Sequence, residues 1–335
     1  MGFKKDFVVN ITKLTKAVSQ RGFGTILILS TEKEHPYTLY NDIATLSSDF
    51  VAGTKTHKIV SRIFGQSPAP QEVAVVGMDY GLLEGTPTDL VDFITEIVDK
   101  HSDWFFLTCD NNEKEIIKAL SGFIDTQDKM YFATTQDLTM ASQLESENTA
   151  IYYHNDEDAY LAEGMASYFA TALVGGTTGK FKSVQGVLAA DVGATELAQL
   201  HEDSCQTYVR KMGVLQTTEG RTTSGEYIDV VMGSFWIQFK MEEELAYLSI
   251  NTPKIPYSNT GIALLISVVD KVLKRATLQD IVLEEDDKGV YTIEYITRQD
   301  TSKNDVANRV YDGIKWTATL SGAIHTGVIS GALVY

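Results

Sequence analysis

Between Thr25 and His154, five short apolar runs alternate with amphipathic stretches, and this alternation narrows the possible folds more than anything else in the chain. The runs occupy residues 25–29, 72–77, 104–108, 130–134 and 150–153. Between them Leu90, Phe93, Ile94, Ile97 and Val98 recur at helical spacing, as do Ile116, Ile117, Leu120, Phe123 and Ile124. Short apolar strands separated by helices of this length predict a largely parallel sheet covered by helices. A further helix is expected over 159–174, with Leu161, Met165, Tyr168 and Ala172 on one core-facing stripe.

Past this region the texture changes. Gly175-Gly176-Thr177-Thr178-Gly179 reads as a flexible joint, and residues 216–225 as a polar, Thr-rich loop. Residues 227–240, with Phe235, Trp236 and Phe239, read as a strand. Pro253 and Pro256 break the chain, and the main boundary is placed there. Beyond it Ser258 or Asn259 caps a helix over 261–275, whose apolar face is Ile262, Leu265, Ile266, Val269, Val272 and Leu273. A hairpin follows, with strands at 281–283 and 290–296 and a turn over 284–289. At 335 residues, two domains are the starting expectation.

The chemistry of the chain excludes more than it suggests. A formal net charge of −17 repels phosphate backbones, so nucleic acid is not an expected partner. The densest apolar run, 262–269, is too short to span a bilayer, so no membrane segment is expected. Gly22-Phe23-Gly24 precedes the first strand, whereas a dinucleotide fingerprint follows a strand and opens a helix. Gly179-Lys180 is followed by Phe181 where a phosphate loop needs Ser or Thr. His201 and Cys205 sit four apart, but no further ligand accompanies them. Cys109 and Cys205 are expected to be free buried thiols. The acidic runs 242–244 and 284–287 read as solvated surface. No catalytic set, cofactor or metal site emerges.

The ends of the chain carry the positive signal. Phe7, Val9 and Ile11 alternate with Val8, Asn10 and Thr12, which suits an extended strand. The last residues, 318–335, stay apolar and strand-like to the terminus. Leu320, Ile324, Val328 and Val334 share one parity, with Ile329 and Leu333 among the other apolar positions. Sticky strands at both ends either close a sheet within the chain or pair with neighbouring chains.

Five segments, in order, resemble contractile phage tail sheath proteins, closest to the short-sheath family. They are VNITKLTKAVSQRGFGTILIL (9–29), IFGQSPAPQEVAVVG (63–77), FKSVQGV (181–187), IPYSNTGIALL (255–265) and LSGAIHTGVISG (320–331). The resemblance implies an α/β chain, α+β overall. A helix-covered mixed sheet forms an outer domain (25–251), inserted into a smaller α+β inner domain built from both termini (1–24 with 252–335). It implies that Phe7–Thr12 and Leu320, Ile324, Val328, Ile329, Leu333 and Val334 are arms that complete sheets of adjacent subunits. Gly22, Gly24, Gly322, Gly327 and Gly331 could permit the bends where these arms leave the body.

The implied product is a helical homopolymer of stacked rings around a tail tube, bounded by baseplate and terminator proteins. Its contraction would drive the tube through a target envelope. The implied location is the virion tail, assembled in the bacterial host cytoplasm. Lys271, Lys274 and Arg275, grouped late in the 261–275 helix, would face the tube. The alternative is a cytosolic α/β enzyme whose terminal strands close its own sheet.

Overall fold

The structure, a computed structural model, describes residues 22–326. The chain divides into two compact units at the Pro256–Tyr257 bond.

Unit 1 runs β1 (Ile26–Ser30), β2 (His35–Tyr40), α1 (Ile43–Leu46), α2 (Lys55–Phe64), β3 (Val73–Gly77), α3 (Pro87–Lys100), β4 (Phe106–Cys109) and α4 (Lys114–Ile124). It continues with β5 (Met130–Thr135), β6 (Thr149–Tyr153), α5 (Leu161–Thr171), α6 (Ala194–Glu202), β7 (Tyr208–Lys211), β8 (Val214–Thr217) and α7 (Ile228–Asn251). Six strands form one sheet in the order β2-β3-β1-β4-β5-β6, all parallel except the β2–β3 pair. The five expected apolar runs are its five parallel strands, and all are buried.

Both faces of the sheet are covered. Leu27, Leu29, Ala74, Val76 and Leu107 point to one face, beneath Leu90 and Ile94 of α3 and Ile116, Ile117 and Leu120 of α4. On the other face α5 packs against β1, β4, β5 and β6, and against α2. This double covering explains why the strands are unbroken apolar runs rather than alternating ones. It also corrects the single stripe expected for α5, since Leu161 through Ser167 are all buried.

β2 escaped the pattern reading. Its sequence HPYTLY mixes polarity and carries Pro36, which cannot donate to a ladder. Such a strand is tolerable at a sheet border, which is where it lies, with a register shift between His35 and Thr38. The opposite border is covered by the chain itself. Gln206 bridges Tyr152 in parallel, and the Thr223 amide donates to the Thr149 carbonyl at 2.9 Å.

Residues 228–251 correct the largest misreading: the expected strand is α7, of 24 residues. Its first four turns bury residues all round, including Ile228, Phe235, Trp236, Phe239 and Met241. A helix buried on every side has no 3.6-residue polar stripe, so only its length distinguishes it from a buried strand. Phe235 and Phe239 join Phe105 and Phe23 in one aromatic cluster, with ring centroids 4.4–6.2 Å apart. The acidic run 242–244 is not solvated surface, because Glu242 lies buried on α7. The Thr-rich stretch 216–225 is a loop past the end of β8, but a packed one. Thr217, Thr218, Thr222 and Thr223 are buried, and the Thr217 hydroxyl donates to the Gly179 carbonyl at 2.7 Å.

Unit 2 contains α8 (Asn259–Leu278), β9 (Glu284–Glu285), β10 (Lys288–Gly289), β11 (Tyr291–Tyr295), α9 (Lys303–Asn308) and β12 (Ile314–Ala318). Of the two candidate caps, Ser258 holds the start of α8, accepting from the Gly261 amide at 3.3 Å. Ile262, Val269, Val272 and Leu273 are buried as expected, whereas Leu265 and Ile266 are half-exposed. The turn is tighter than expected, because β9 and β10 pair up to Asp286-Asp287, both left-handed at φ 50° and 58°. Aspartate tolerates that region better than most residues. β11 then pairs with β12 rather than with 281–283.

The C-terminal strand therefore begins earlier than residue 318 and regular pairing stops there. Beyond it Leu320 bridges Val282 and the Ser321 amide donates to the Ile281 carbonyl at 3.1 Å. Gly322, at φ +62°, then turns the chain aside. No regular strand follows among the described residues. Phe7, Val8, Val9, Asn10, Ile11, Thr12, Val328, Ile329, Leu333 and Val334, like Gly327 and Gly331, lie outside the described residues.

Candidate functional site

In an open α/β sheet, ligands settle outside the carboxyl ends of the strands where the winding direction reverses. Here that point lies between β1 and β4, and a crevice of about 540 Å³ opens beside it. The crevice is a test of the enzyme alternative. Its walls carry Glu32, Asp110, Glu113, Asp137 and Glu157 against Lys55 and Lys114, with Tyr160 as its one aromatic.

Of the two helix N-termini that reach the crevice, that of α2 is already filled. Helix N-termini attract anions because their first amides lack partners. At α2, both Glu32 carboxylate oxygens accept from the Lys55 and Thr56 amides, at 2.9 and 3.1 Å. The Thr54 hydroxyl takes the His57 amide at 3.3 Å. No first-turn donor of these three is left for a ligand.

Asp110, at the carboxyl end of β4, is 2% exposed and equally committed. It accepts from the Ser30 hydroxyl (2.9 Å), the Thr31 amide (2.8 Å), the Thr31 hydroxyl (2.7 Å) and the Thr56 hydroxyl (2.8 Å). Burial pushes its pKa up, and the Thr31, Thr56 and Ser30 donors oppose that shift. The carboxylate thus binds β1, β4 and α2 together at the mouth of the crevice. One oxygen of Asp137 is held by the Thr139 amide and hydroxyl, both at 2.8 Å. Among the described residues no three His, Cys, Asp or Glu side chains are placed to hold a metal.

A second buried acid sits on the other face of the sheet. Glu163 of α5 accepts from the Thr134 hydroxyl of β5 at 2.7 Å, while its other oxygen is buried with no hydrogen-bond partner. Burial raises its pKa to about 7, partly opposed by the Thr134 hydrogen bond and the Arg62 guanidinium of α2. Sequence reasoning singled out neither Asp110 nor Glu163. Asp110 had a legible signal, as an acid directly following an apolar strand in a parallel sheet. Glu163 had none, because it lies within a helix whose period predicts only packing.

The described residues of the expected assembly segments lie in unit 2. Leu320 is 42% and Ile324 92% exposed, so these apolar side chains find little cover within their own chain. Lys271, Lys274 and Arg275 are all exposed on α8. Lys274 is paired with Asp270 at 2.7 Å, and the same carboxylate accepts from the Tyr291 hydroxyl at 2.7 Å. The cluster is therefore partly neutralised and tied to β11. Cys109 and Cys205 are free and buried, and burial pushes both thiols up.

At the level of sequence, no protein-family model and no curated protein matches the chain. The fold, in contrast, has solved counterparts along its whole length. A chain of the anti-feeding prophage baseplate superimposes with a TM-score of 0.73 at 11% identity, covering 100% of both chains. The contracted helical sheath of the same particle gives 0.67 at 12% identity, covering 98% of this chain and 99% of that one. The sheath tail protein of Listeria innocua gives 0.59 at 8% identity, covering 91% and 97%. Across its described residues, this chain has the fold of a contractile sheath protein.

Proposed function

We propose that this chain is the repeating subunit of a contractile sheath, a structural protein rather than an enzyme. The observation that carries this reading is the full-length likeness to sheath chains, which spans both units rather than the α/β unit alone. The commitment of Glu32 and Asp110 inside the switch-point crevice weighs against the enzyme alternative. In this reading copies stack as rings around a tail tube, between a baseplate and a terminator protein. Contraction drives the tube through a cell envelope. The inner domain is residues 1–24 with 252–335, and the outer domain is 25–251. The particle is a phage tail or a related injection device, assembled in a bacterial cytoplasm. Negative-stain microscopy of the purified chain tests this directly: tubes or stacked rings are expected, and a uniform small monomer would overturn it.

The terminal segments give the sharper test. The exposed Leu320 and Ile324 lead directly into the apolar 328–334 stretch, as an arm bound by a neighbouring subunit would. Removing residues 1–15, or separately 328–335, is expected to leave circular dichroism near native and to abolish tube formation. The second deletion removes Val328, Ile329, Leu333 and Val334, each worth roughly 1.5–3 kcal/mol when fully buried. Tubes of normal length from either truncated chain would show that its arm is not the linking strand.

Lys271, Lys274 and Arg275 serve a weaker contact with the tube. Exposed ionic contacts govern encounter and salt dependence more than fold. Lys271→Glu combined with Lys274→Glu is expected to spare self-polymerisation and weaken co-sedimentation with tubes, most clearly at low salt. Unchanged co-sedimentation across a salt series would leave these residues only the helix-dipole role.

A further inference from the structure

Two patches of unit 1 share an unusual make-up, with exposed apolar side chains set among charges of one sign. The first follows β3. Residues 71–103 hold eight acidic residues against Lys100. Within them Leu82 and Leu83 are 79% and 63% exposed next to Glu84 in sequence, and Asp92 and Glu96 are exposed on α3, Glu96 3.8 Å from Lys100. The second is the β7–β8 hairpin. Residues 174–190 and 205–218 contain no acid at all, in a chain whose net charge is −17. At the hairpin tip Met212 is 96% and Val214 61% exposed, flanked by Arg210 and Lys211.

The sheet order separates the two patches. α3 connects β3 to β4 and its C-cap His101 stacks on Tyr37 of the border strand β2 at 4.1 Å, whereas β7–β8 lies past β6, beyond the Gln206 bridge to Tyr152. One chain therefore presents an acidic apolar patch towards one border of its sheet and a basic apolar patch past the other. Monomeric proteins seldom expose large apolar side chains clustered in this way. Opposite charges around two such clusters favour one partner for each, namely the other patch on a second copy.

We infer that the β7–β8 hairpin of one copy docks against the 82–84 loop and α3 of the next. The contact is heterologous, so repeating it gives a ring or an open helix rather than a closed pair. It involves side chains only, and added salt weakens it. The inference rests on the sheath reading for its context but not for its test.

The test is a charge exchange. Arg210→Glu with Lys211→Glu, and separately Asp92→Lys with Glu96→Lys, are each expected to raise the concentration needed for association by about tenfold or more. An equimolar mixture of the two should regain association by alternating copies, and a chain carrying all four changes should regain it alone, read by light scattering and microscopy. Bismaleimide cross-linking of a Leu83→Cys chain to a Met212→Cys chain reports the same contact directly, with the native thiols buried. Association indifferent to both pairs, or a fourfold variant no better than either pair alone with no Leu83–Met212 cross-link, overturns the inference. Discrete oligomers that obey the exchange without forming tubes support the contact and sink the sheath reading. Tubes indifferent to the exchange do the reverse, and a chain monomeric at every concentration overturns both.

Discussion

Asp110→Ala is expected to destabilise unit 1 by about 1–3 kcal/mol or more, the penalty for leaving buried donors without their acceptor. Four donors on Ser30, Thr31 and Thr56 converge on its carboxylate. The substitution leaves them facing a small void at the junction of β1, β4 and α2. Asp110→Asn keeps the shape but turns an amide towards donors, so most of the loss should remain. Urea denaturation followed by circular dichroism reads the effect as a fall in the midpoint. A loss below about 1 kcal/mol, the value of an ordinary hydrogen bond, would mean that the carboxylate does not hold the three elements together.

Glu163→Gln should change the pH dependence of stability rather than the fold. The folded-state pKa, about 7, lies above the ordinary value of 4.5. Between those limits the folded chain holds a proton that the unfolded chain releases, so stability falls as pH rises. The contribution is fully present below about pH 4.5, is lost as pH climbs through 7, and stays lost above it. A rise of that size corresponds to about 3 kcal/mol. Glutamine keeps the hydrogen bond from Thr134 and cannot ionise. The difference between variant and wild type should therefore grow from pH 5 to pH 7.5 in favour of the variant, then level off. Parallel stability curves across that range would rule out a proton on the folded Glu163.

The sheet strands, α3, α4 and α8 were legible because each buries a defined face, and burial leaves a period in the sequence. The failures have the same root. α7 is buried all round and so has no stripe to read, while β2 lies at a border where mixed polarity and Pro36 are tolerated. Among the described residues the C-terminal strand lies earlier than expected, because pairing ends where its partner β11 ends. Apolar character continues past Ala318, but the β11 ladder does not. At the crevice, Glu32, Thr56 and Asp110 lie far apart in sequence and meet only once β1, α2 and β4 are in place. Side-chain closure of that kind leaves no periodic trace. The β7–β8 hairpin was hidden for a different reason, since its basic residues stand out only against a sheet order that puts them opposite an acidic helix.

Both borders of the six-stranded sheet are poor templates, one blunted by Pro36 and a register shift, the other already occupied by Gln206 and Thr223. Neither border of that sheet therefore invites a backbone-to-backbone linkage with a neighbour. In the proposed polymer the terminal arms would do the stitching, with the six-stranded sheet carried along as a passenger. A passenger that touches its neighbours only through side chains can exchange one set of contacts for another without tearing a hydrogen-bond ladder. It can swing between packings while the stitching holds.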